Sequence, residues 1–533
     1  MKLHCYRCMA RPVFLVCLLL CAGQGYAFNG PGAAAPALPV KASLARAAVI
    51  FNVRDYGAQG NAQGNDAPAI NKAIDAASMA GGGTVYFPAG TYLSGSIHLK
   101  SHITLYLDQG ATLQAIFDTT AYDAAEPFNG PEYQDFGHSH WHNGFIWGEN
   151  LEDIAIMGTG LIYGKGLTRN HSEDHLPKLG LGDKSIALKN CRNVIFRDFS
   201  ILHGGHFGIL ATGVDNLTID NLKIDTNRDG IDIDCCKNVR VSNCSVNSPW
   251  DDGICPKSTY ALGYARTTEN VTITNCMVSG FQEGTLLDGT FKPMDPKEND
   301  RPIGRIKLGT ESNGGFRNIT ISNCVFDHCR GLALETVDGA ELEDVTISNI
   351  TMHNVNNAPI FLRLGSRMRG PAGVAVGKLR RINIGDIVVY DANPKQSCII
   401  SGIPGHPIEG LNLHDIRLVY PGGGAADDES IHPPEKENGY PEPSMFGALP
   451  AYGFYIRHVK DLTMANVQIG YEKEDQRPAI VLDDVQKGRF RFIDAAHPAT
   501  QSVFLMRDVK DISVFQSEGL KDGHTEQAAM KKW

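Results

Sequence analysis

The hydrophobic pattern of this chain is a repeat. From about Leu151 a short unit recurs: an Asn or Asp, then apolar and polar positions in alternation, then a second Asn or Asp. Copies read NVIFRDFSI from Asn193, NLTIDNLKI from Asn216, NVRVSNCSV from Asn238, NVTITNCMV from Asn270, NITISNCVF from Asn318 and DVTISNITM from Asp344, with weaker ones from Ile382, Leu411 and Leu462. Alternation with a β-branched bias describes strands and not helices. Where nothing interrupts it, the period is about 22 to 26 residues, the range of coiled-strand solenoids. The pattern predicts an all-β, single-domain right-handed parallel β-helix. Within it, Asn-Cys pairs recur at one position (Asn243-Cys244, Asn275-Cys276, Asn323-Cys324), and Asn190-Cys191 stands just ahead of a copy. Stacked coils place like residues above one another, so an internal ladder of Asn and Cys at a turn is expected.

Ahead of the repeat, Asn65 or Asp66 can cap a helix with Pro68 in its first turn and Ile70, Ala73, Ile74 and Ala77 as its apolar stripe. Three short strand signals follow, at Thr84, Gly90 and Ile103. A short amphipathic helix before strands suits the covered end of a solenoid, whose first coil otherwise exposes its core. Stretches 116–150, 284–303 and 420–455 break the period and are expected to be loops over one face. The expected organisation is a signal peptide (1–27), a flexible linker (28–47), a cap and first coils (48–115), a β-helix catalytic domain with insertions (116–520) and a C-terminal tail (521–533).

Composition narrows the classes. In 533 residues, 42% hydrophobic and 20% charged residues describe a globular chain, and a net charge of -10 argues against nucleic-acid or anionic-membrane partners. Lys2, Arg7 and Arg11, the apolar run Val13 to Cys21 and the small-x-small site Gly25-Tyr26-Ala27 read as a secretory signal. A secreted or periplasmic monomer is expected. Of 13 cysteines four leave with that signal, and the nine that remain lack metal-site spacing. Buried small-residue packing is the expected role, with one or two disulfides as the alternative.

The chemistry concentrates between Asn227 and Ser258. Asp229, Asp232 and Asp234 are followed, about one repeat later, by the adjacent pair Asp251-Asp252, with Lys257 closing the segment. Glycosidic hydrolysis needs a proton donor and a carboxylate that activates water, about 6.5–9.5 Å apart in inverting enzymes. Neighbouring coils are about 4.8 Å apart, so carboxylates one coil apart and offset along the strand approach that separation. An Asp ladder, or turn aspartates preceding Gly230 and Gly253, would explain the same residues without chemistry.

Asn227-Arg-Asp229-Gly-Ile-Asp, then Asp251-Asp252-Gly-Ile-x-x-Lys257-Ser, resembles the polygalacturonase family of glycoside hydrolases, family 28, pectin-cleaving right-handed β-helices. Tyr56-Gly, the helix and Phe87-Pro-Ala-Gly-Thr-Tyr resemble the same family's entry into the β-helix, and the likeness covers about residues 48–470. The resemblance implies inverting hydrolysis of pectic polysaccharide without a metal or other cofactor. Asp251 or Asp252 would be the general acid, with Asp229 helping to position and activate water. Asp232 and Asp234 read as turn and ladder residues.

Three departures bear on the substrate. Arg228 stands where the family has a small residue. The family's Gly-His-Gly, one coil after the Asp pair, is missing; Gln282-Glu283-Gly284 and Ile303-Gly304-Arg305 stand nearest. The family's basic Arg-x-Lys, which holds a galacturonate carboxylate, matches Arg305-Ile306-Lys307 literally, whereas repeat register points to Gly331–Thr336, with Ala333 and Glu335 at the basic positions. A uronate would fit the first match; a neutral sugar such as rhamnose, as in a rhamnogalacturonan rhamnohydrolase, would fit the second. His206, Asn227, Arg228, Lys257, Glu283, Arg305, Lys307 and Glu335 are candidate substrate-binding residues. His138, His140, Trp141 and His142 could wall or cover the site, and Asp288 and Glu311 are reserve acids. The large insertions favour exo action. A Ca²⁺-dependent lyase and a non-catalytic carbohydrate-binding β-helix are the competing classes.

Overall fold

The computed structural model describes residues 49–118, 120–128, 130, 131, 133–168 and 182–533. The expected signal peptide and linker lie outside the described residues. The rest is a parallel β-helix. One central coil consists of strands Asp229–Asp234, Lys237–Ser242 and Ser245–Asn247, and the next of Ile254–Lys257, Thr268–Thr274 and Met277–Ser279. All three faces pair in parallel, with Ile231 on Ile254, Val239 on Val271 and Val246 on Val278. These six side chains point inward and are buried. The alternation in sequence is therefore the alternation of core and surface along each strand. In later coils two faces merge into long strands, Glu341–Val355, Lys378–Ala392 and Ile408–Gly422.

The helix spans Ala67–Met79 and buries Ala67, Ile70, Ala73, Ile74 and Ala77. Asp66 occupies the N-cap position without a side-chain bond to the helix; its carboxylate instead accepts from Gln59 N (2.8 Å) and Gly60 N (3.1 Å), while Asn65 Oδ1 accepts from Ala67 N (3.0 Å). At the other end, Gly523–Lys532 is an antiparallel strand on Phe504–Phe515, where a tail over 521–533 was expected. Pairing in reverse direction covers a sheet edge that another parallel coil would otherwise extend.

Two asparagine columns run along the turns. In one, the side-chain amide of each residue donates to the Asn one coil back: Asn216 to Asn193 (2.9 Å), Asn238 to Asn216 (3.2 Å), Asn270 to Asn238 (3.0 Å) and Asn318 to Asn270 (3.0 Å). All five have left-handed backbones, φ between 55° and 57°, which Asn tolerates better than most residues. The expected internal Asn-Cys ladder is thus half right. Asn243, Asn275 and Asn323 lie on exposed turns, and only Cys244, Cys276 and Cys324 point inside. All nine cysteines downstream of the signal are buried and free, with no disulfide among the described residues.

Candidate active site

The first face of the coils carries the acidic cluster. Phe207–Thr212, Asp229–Asp234 and Ile254–Lys257 stack in register there. The bond from Gly230 N–H to the Asp252 carbonyl (3.0 Å) carries that register back to the aspartates, so Asp229 lies over Asp252. Close approach makes the intervening glycine necessary: a Cβ on Gly230 would lie 2.4 Å from Val246 Cγ1 and 2.5 Å from the Gly253 carbonyl oxygen. The Asp-Gly pairs therefore belong to tightly stacked strands and not to isolated turns.

One oxygen from each of Asp229, Asp251 and Asp252 falls within a single 4.8 Å group. The one-coil spacing had suggested a wider separation. Each carboxylate is held differently. Asp252 is buried, and both its oxygens are bonded, Oδ1 by Arg305 Nε (2.9 Å) and Oδ2 by Lys307 Nζ (2.7 Å). Burial alone would raise its pKa, but Lys307, Arg305 and Lys257 outweigh it and hold the carboxyl well below its ordinary range. Asp229 is the opposite case: burial, reinforced by Asp232 and Asp251, pushes it well above that range. Asp251 is the most exposed of the three, and Arg228 Nη2 sits 2.7 Å from its Oδ2. The three oxygens are close enough to surround a cation, but Arg228, Arg305 and Lys307 already supply the counter-charge.

Asp232 does not fit the turn-and-ladder reading. It registers with Leu210 and Cys255 on the neighbouring strands, so it has no aspartate above or below it. It is fully buried, 3.7 Å from His138 Nδ1 and 3.9 Å from Lys257 Nζ, and burial raises its pKa despite the pull of Lys257. The signal was present in Ile231-Asp-Ile-Asp234: the isoleucines face the core, so Asp232 must face the same side as the site. Asp234 accepts from Thr259 N (2.8 Å) and Oγ1 (2.7 Å) and holds a turn.

The other candidates divide. Lys257 lies within the cluster, 3.6 Å from Glu311, whose pKa falls because Lys257 and Arg367 overcome its burial. Asn227 accepts through its carbonyl from the N–H of Trp250 (3.0 Å), the residue just before the Asp pair. His206 is buried edge-on against Phe207 one coil earlier, and Glu283 pairs with His203 at 2.8 Å. Trp141 is buried and donates to Thr212 Oγ1 (3.2 Å), and His142 stacks on Trp147, so neither forms an open sugar platform; His138 meets Asp232 of the cluster.

The downstream basic strand is also resolved. Gly253 N–H donates to the Arg305 carbonyl (2.8 Å), and Lys307 registers with Ala333. Ile303-Gly304-Arg305 therefore takes the coil after the Asp pair, where the family would carry Gly-His-Gly, and Leu332–Thr336 takes the coil beyond. Ala333 and Glu335 stand in that second strand as register indicated. Arg305 and Lys307 turn their charges onto Asp252, not toward open solvent, and are 1% and 3% exposed. Glu335 is fully buried beside them, and burial raises it to about 7 against the pull of Lys307 and Arg305.

Glu442 had no sequence signal. It comes from the 420–455 insertion and accepts from Arg305 Nη2 (2.5 Å) and from Arg330 Nη1 (2.8 Å). From the same insertion, Tyr440 Oη lies 3.1 Å from Thr310 Oγ1, which donates to Glu335 Oε2 at 3.1 Å. A residue supplied by an insertion has no repeat to mark it.

Comparison with known proteins agrees with this architecture. Residues 50–169 match the family described as rhamnogalacturonase A/epimerase, pectate lyase-like, and residues 180–297 the right-handed β-helix region. A probable polygalacturonase of Vitis vinifera is 25% identical over 394 residues, covering 68% of this chain and 73% of the relative. An exopolygalacturonase of Arabidopsis thaliana is 23% identical over 399 residues, covering 72% and 82%. Among solved structures, the family 28 exopolygalacturonase of Yersinia enterocolitica superposes with a TM-score of 0.62 at 17% identity, covering 84% of this chain and 78% of that one.

Proposed function

We propose, from the likeness to polygalacturonases, that this polygalacturonase-like glycoside hydrolase is an exported, exo-acting, inverting hydrolase of pectic polysaccharide. The observation that carries the reading is the convergence of Asp229, Asp251 and Asp252, with Asp252 gripped by two buried cations. Two acceptors that share one water at hydrogen-bond distance stand about 4.5 Å apart. Carboxylate oxygens within 4.8 Å are thus spaced to hold a water between them.

Asp252 suits holding and orienting the water. Its charge is fixed and both oxygens are engaged, which makes it a poor proton donor and a poor direct nucleophile. Direct displacement would lead to retention and delivery of a held water to inversion; the engaged oxygens of Asp252, not the separation of the acids, support the second. Of the adjacent pair, Asp251 is left as donor; it is the more exposed of the two. Asp229, held toward its neutral form by burial, keeps a proton within the cluster. Exo action is supported by the insertions: residues from 116–150 and 420–455 reach this face through His138 and Glu442. Export rests on the reading of residues 1–27.

Incubation with pectic oligosaccharides, with NMR of freshly formed reducing ends and sizing of products, tests the proposal. One sugar unit released per event with inverted configuration is expected. Internal fragments would overturn exo action, retained configuration would overturn inversion, and the absence of new reducing ends would overturn hydrolysis.

A further inference from the structure

Resting on the hydrolytic reading of the cluster, we propose that the sugar held over Asp229, Asp251 and Asp252 is a neutral glycosyl residue, one without a carboxylate. The argument begins with the cations. A uronate is held by charge-assisted bonds from Arg or Lys. Here each cation around the cluster already has an internal carboxylate. Arg305 spans Asp252 (2.9 Å) and Glu442 (2.5 Å), and Lys307 is on Asp252 at 2.7 Å. Arg228 is on Asp251 at 2.7 Å, Lys257 lies between Asp232 and Glu311, and Arg330 is on Glu442 at 2.8 Å. To bind a uronate through Arg305 or Lys307, the site would have to weaken a buried ion pair and leave Asp252 less compensated.

The unfilled hydrogen-bonding capacity is of both kinds. Asp229 Oδ1, both oxygens of Asp232 and Oε1 of Glu335 are buried without a hydrogen-bond partner, and so are Arg305 Nη1 and Arg228 Nε. Groups of both kinds call for a ligand that donates as well as accepts. Sugar hydroxyls and water meet that need; a carboxylate only accepts. The coil beyond Arg305 adds no cation at the positions in question, because it offers Ala333 and the acid Glu335. A neutral, hydroxyl-rich residue is therefore complementary to the site, and pectic polymers that alternate charged with neutral sugars can present one at a chain end.

The experiment uses two pectic oligosaccharides that differ only in the non-reducing terminal residue, one a neutral deoxyhexose and the other a uronate. Binding to the full chain carrying Asp251→Asn is measured by calorimetry, and turnover is measured with the unmodified protein. The neutral-ended ligand is expected to bind at least tenfold more tightly and to lose its terminal sugar. Equal or tighter binding of the uronate-ended ligand would overturn the neutral subsite, whatever the turnover. Selective binding of the neutral ligand with no turnover of either would uphold the subsite and overturn the hydrolytic reading instead.

Discussion

Two columns of polar side chains run along this β-helix at the same one-coil spacing, and they do opposite things. On the turns, Asn193, Asn216, Asn238, Asn270 and Asn318 are neutral, and the amides of the inner three both donate to one neighbour and accept from the other. Identical residues at that spacing satisfy one another. On the site face, Asp229 stacks over Asp252, and carboxylates at that spacing can only accept. The conflict is resolved unequally: Asp252 is held charged by Lys307 and Arg305, and Asp229 is held toward its neutral form by burial. Stacking neutral groups produces structure. Stacking acids produces groups pushed to different protonation states, which is what acid–base chemistry requires.

Removing the charge from one acid should break the comparison most severely. Asp252→Asn keeps the shape but abolishes the anion held by Arg305 and Lys307, and turnover should fall by about 10²–10⁴-fold. Asp251→Asn should do the same, and thermal melts of both variants will separate lost chemistry from lost fold. If Asp252→Asn retains wild-type turnover, Asp252 is a structural acid and the site reading fails.

Next in size is the clamp. Arg305→Met leaves Asp252 and Glu442 without a shared cation in a nearly dry site. Loss of one partner of a buried pair costs about 3–5 kcal/mol, measurable as a drop in denaturant midpoint. Lys307→Met leaves Arg305 on Asp252 and should cost less. Equal costs would mean that the two cations act as one unit.

Why the ladder was legible and the clamp was not follows from the same contrast. Repetition is visible in a sequence because each coil writes the same residue at the same position, as with Asn216 and Asn238. The acids Asp229, Asp251 and Asp252 were legible because they too recur at one coil. Arg305 was ambiguous because the 284–303 insertion separates it from the coil it stacks on, so a literal motif and a counted register point to different strands. Glu442 lies beyond any periodic argument: it reaches Arg305 across 137 residues from an insertion. Asp232 was legible in principle from its alternation with Ile231 and Ile233, which place it outward, and was missed because an Asp in such a segment also suits a turn.

Glu335 sharpens the comparison through pH. Its pKa rises from 4.5 to about 7 in the fold, so the native state retains a proton that the unfolded chain has released between those values. Stability must then fall as pH rises through that window, is unaffected by this group below it, and stays lowered above it. The size is on the order of 3 kcal/mol. Glu335→Gln removes the titration, so its stability relative to the unmodified protein should improve by that amount between about pH 4.5 and pH 7. Chemical denaturation at pH 5 and pH 8 measures it. A pH-independent difference would show that Arg305 and Lys307 keep Glu335 ionised throughout.

The smallest effect belongs to the ladder, where it can be divided into parts. Asn238 donates to Asn216 and accepts from Asn270, with φ of 57°. Asn238→Ala removes both side-chain bonds, which are exposed and worth about 0.5–1 kcal/mol each. It also places an alanine in the left-handed region, at a cost of about 1–2 kcal/mol. Asn238→Gly loses the same bonds but accepts the backbone without that strain, so the difference between the variants isolates the conformational part. Asn318 sits at the end of the described column, with a bond to Asn270 and a φ of 55°. Asn318→Ala should therefore cost less than Asn238→Ala by about one exposed hydrogen bond, roughly 0.5–1 kcal/mol. Equal losses at the two positions would mean that the left-handed turn, and not the column of amides, is what the asparagines supply.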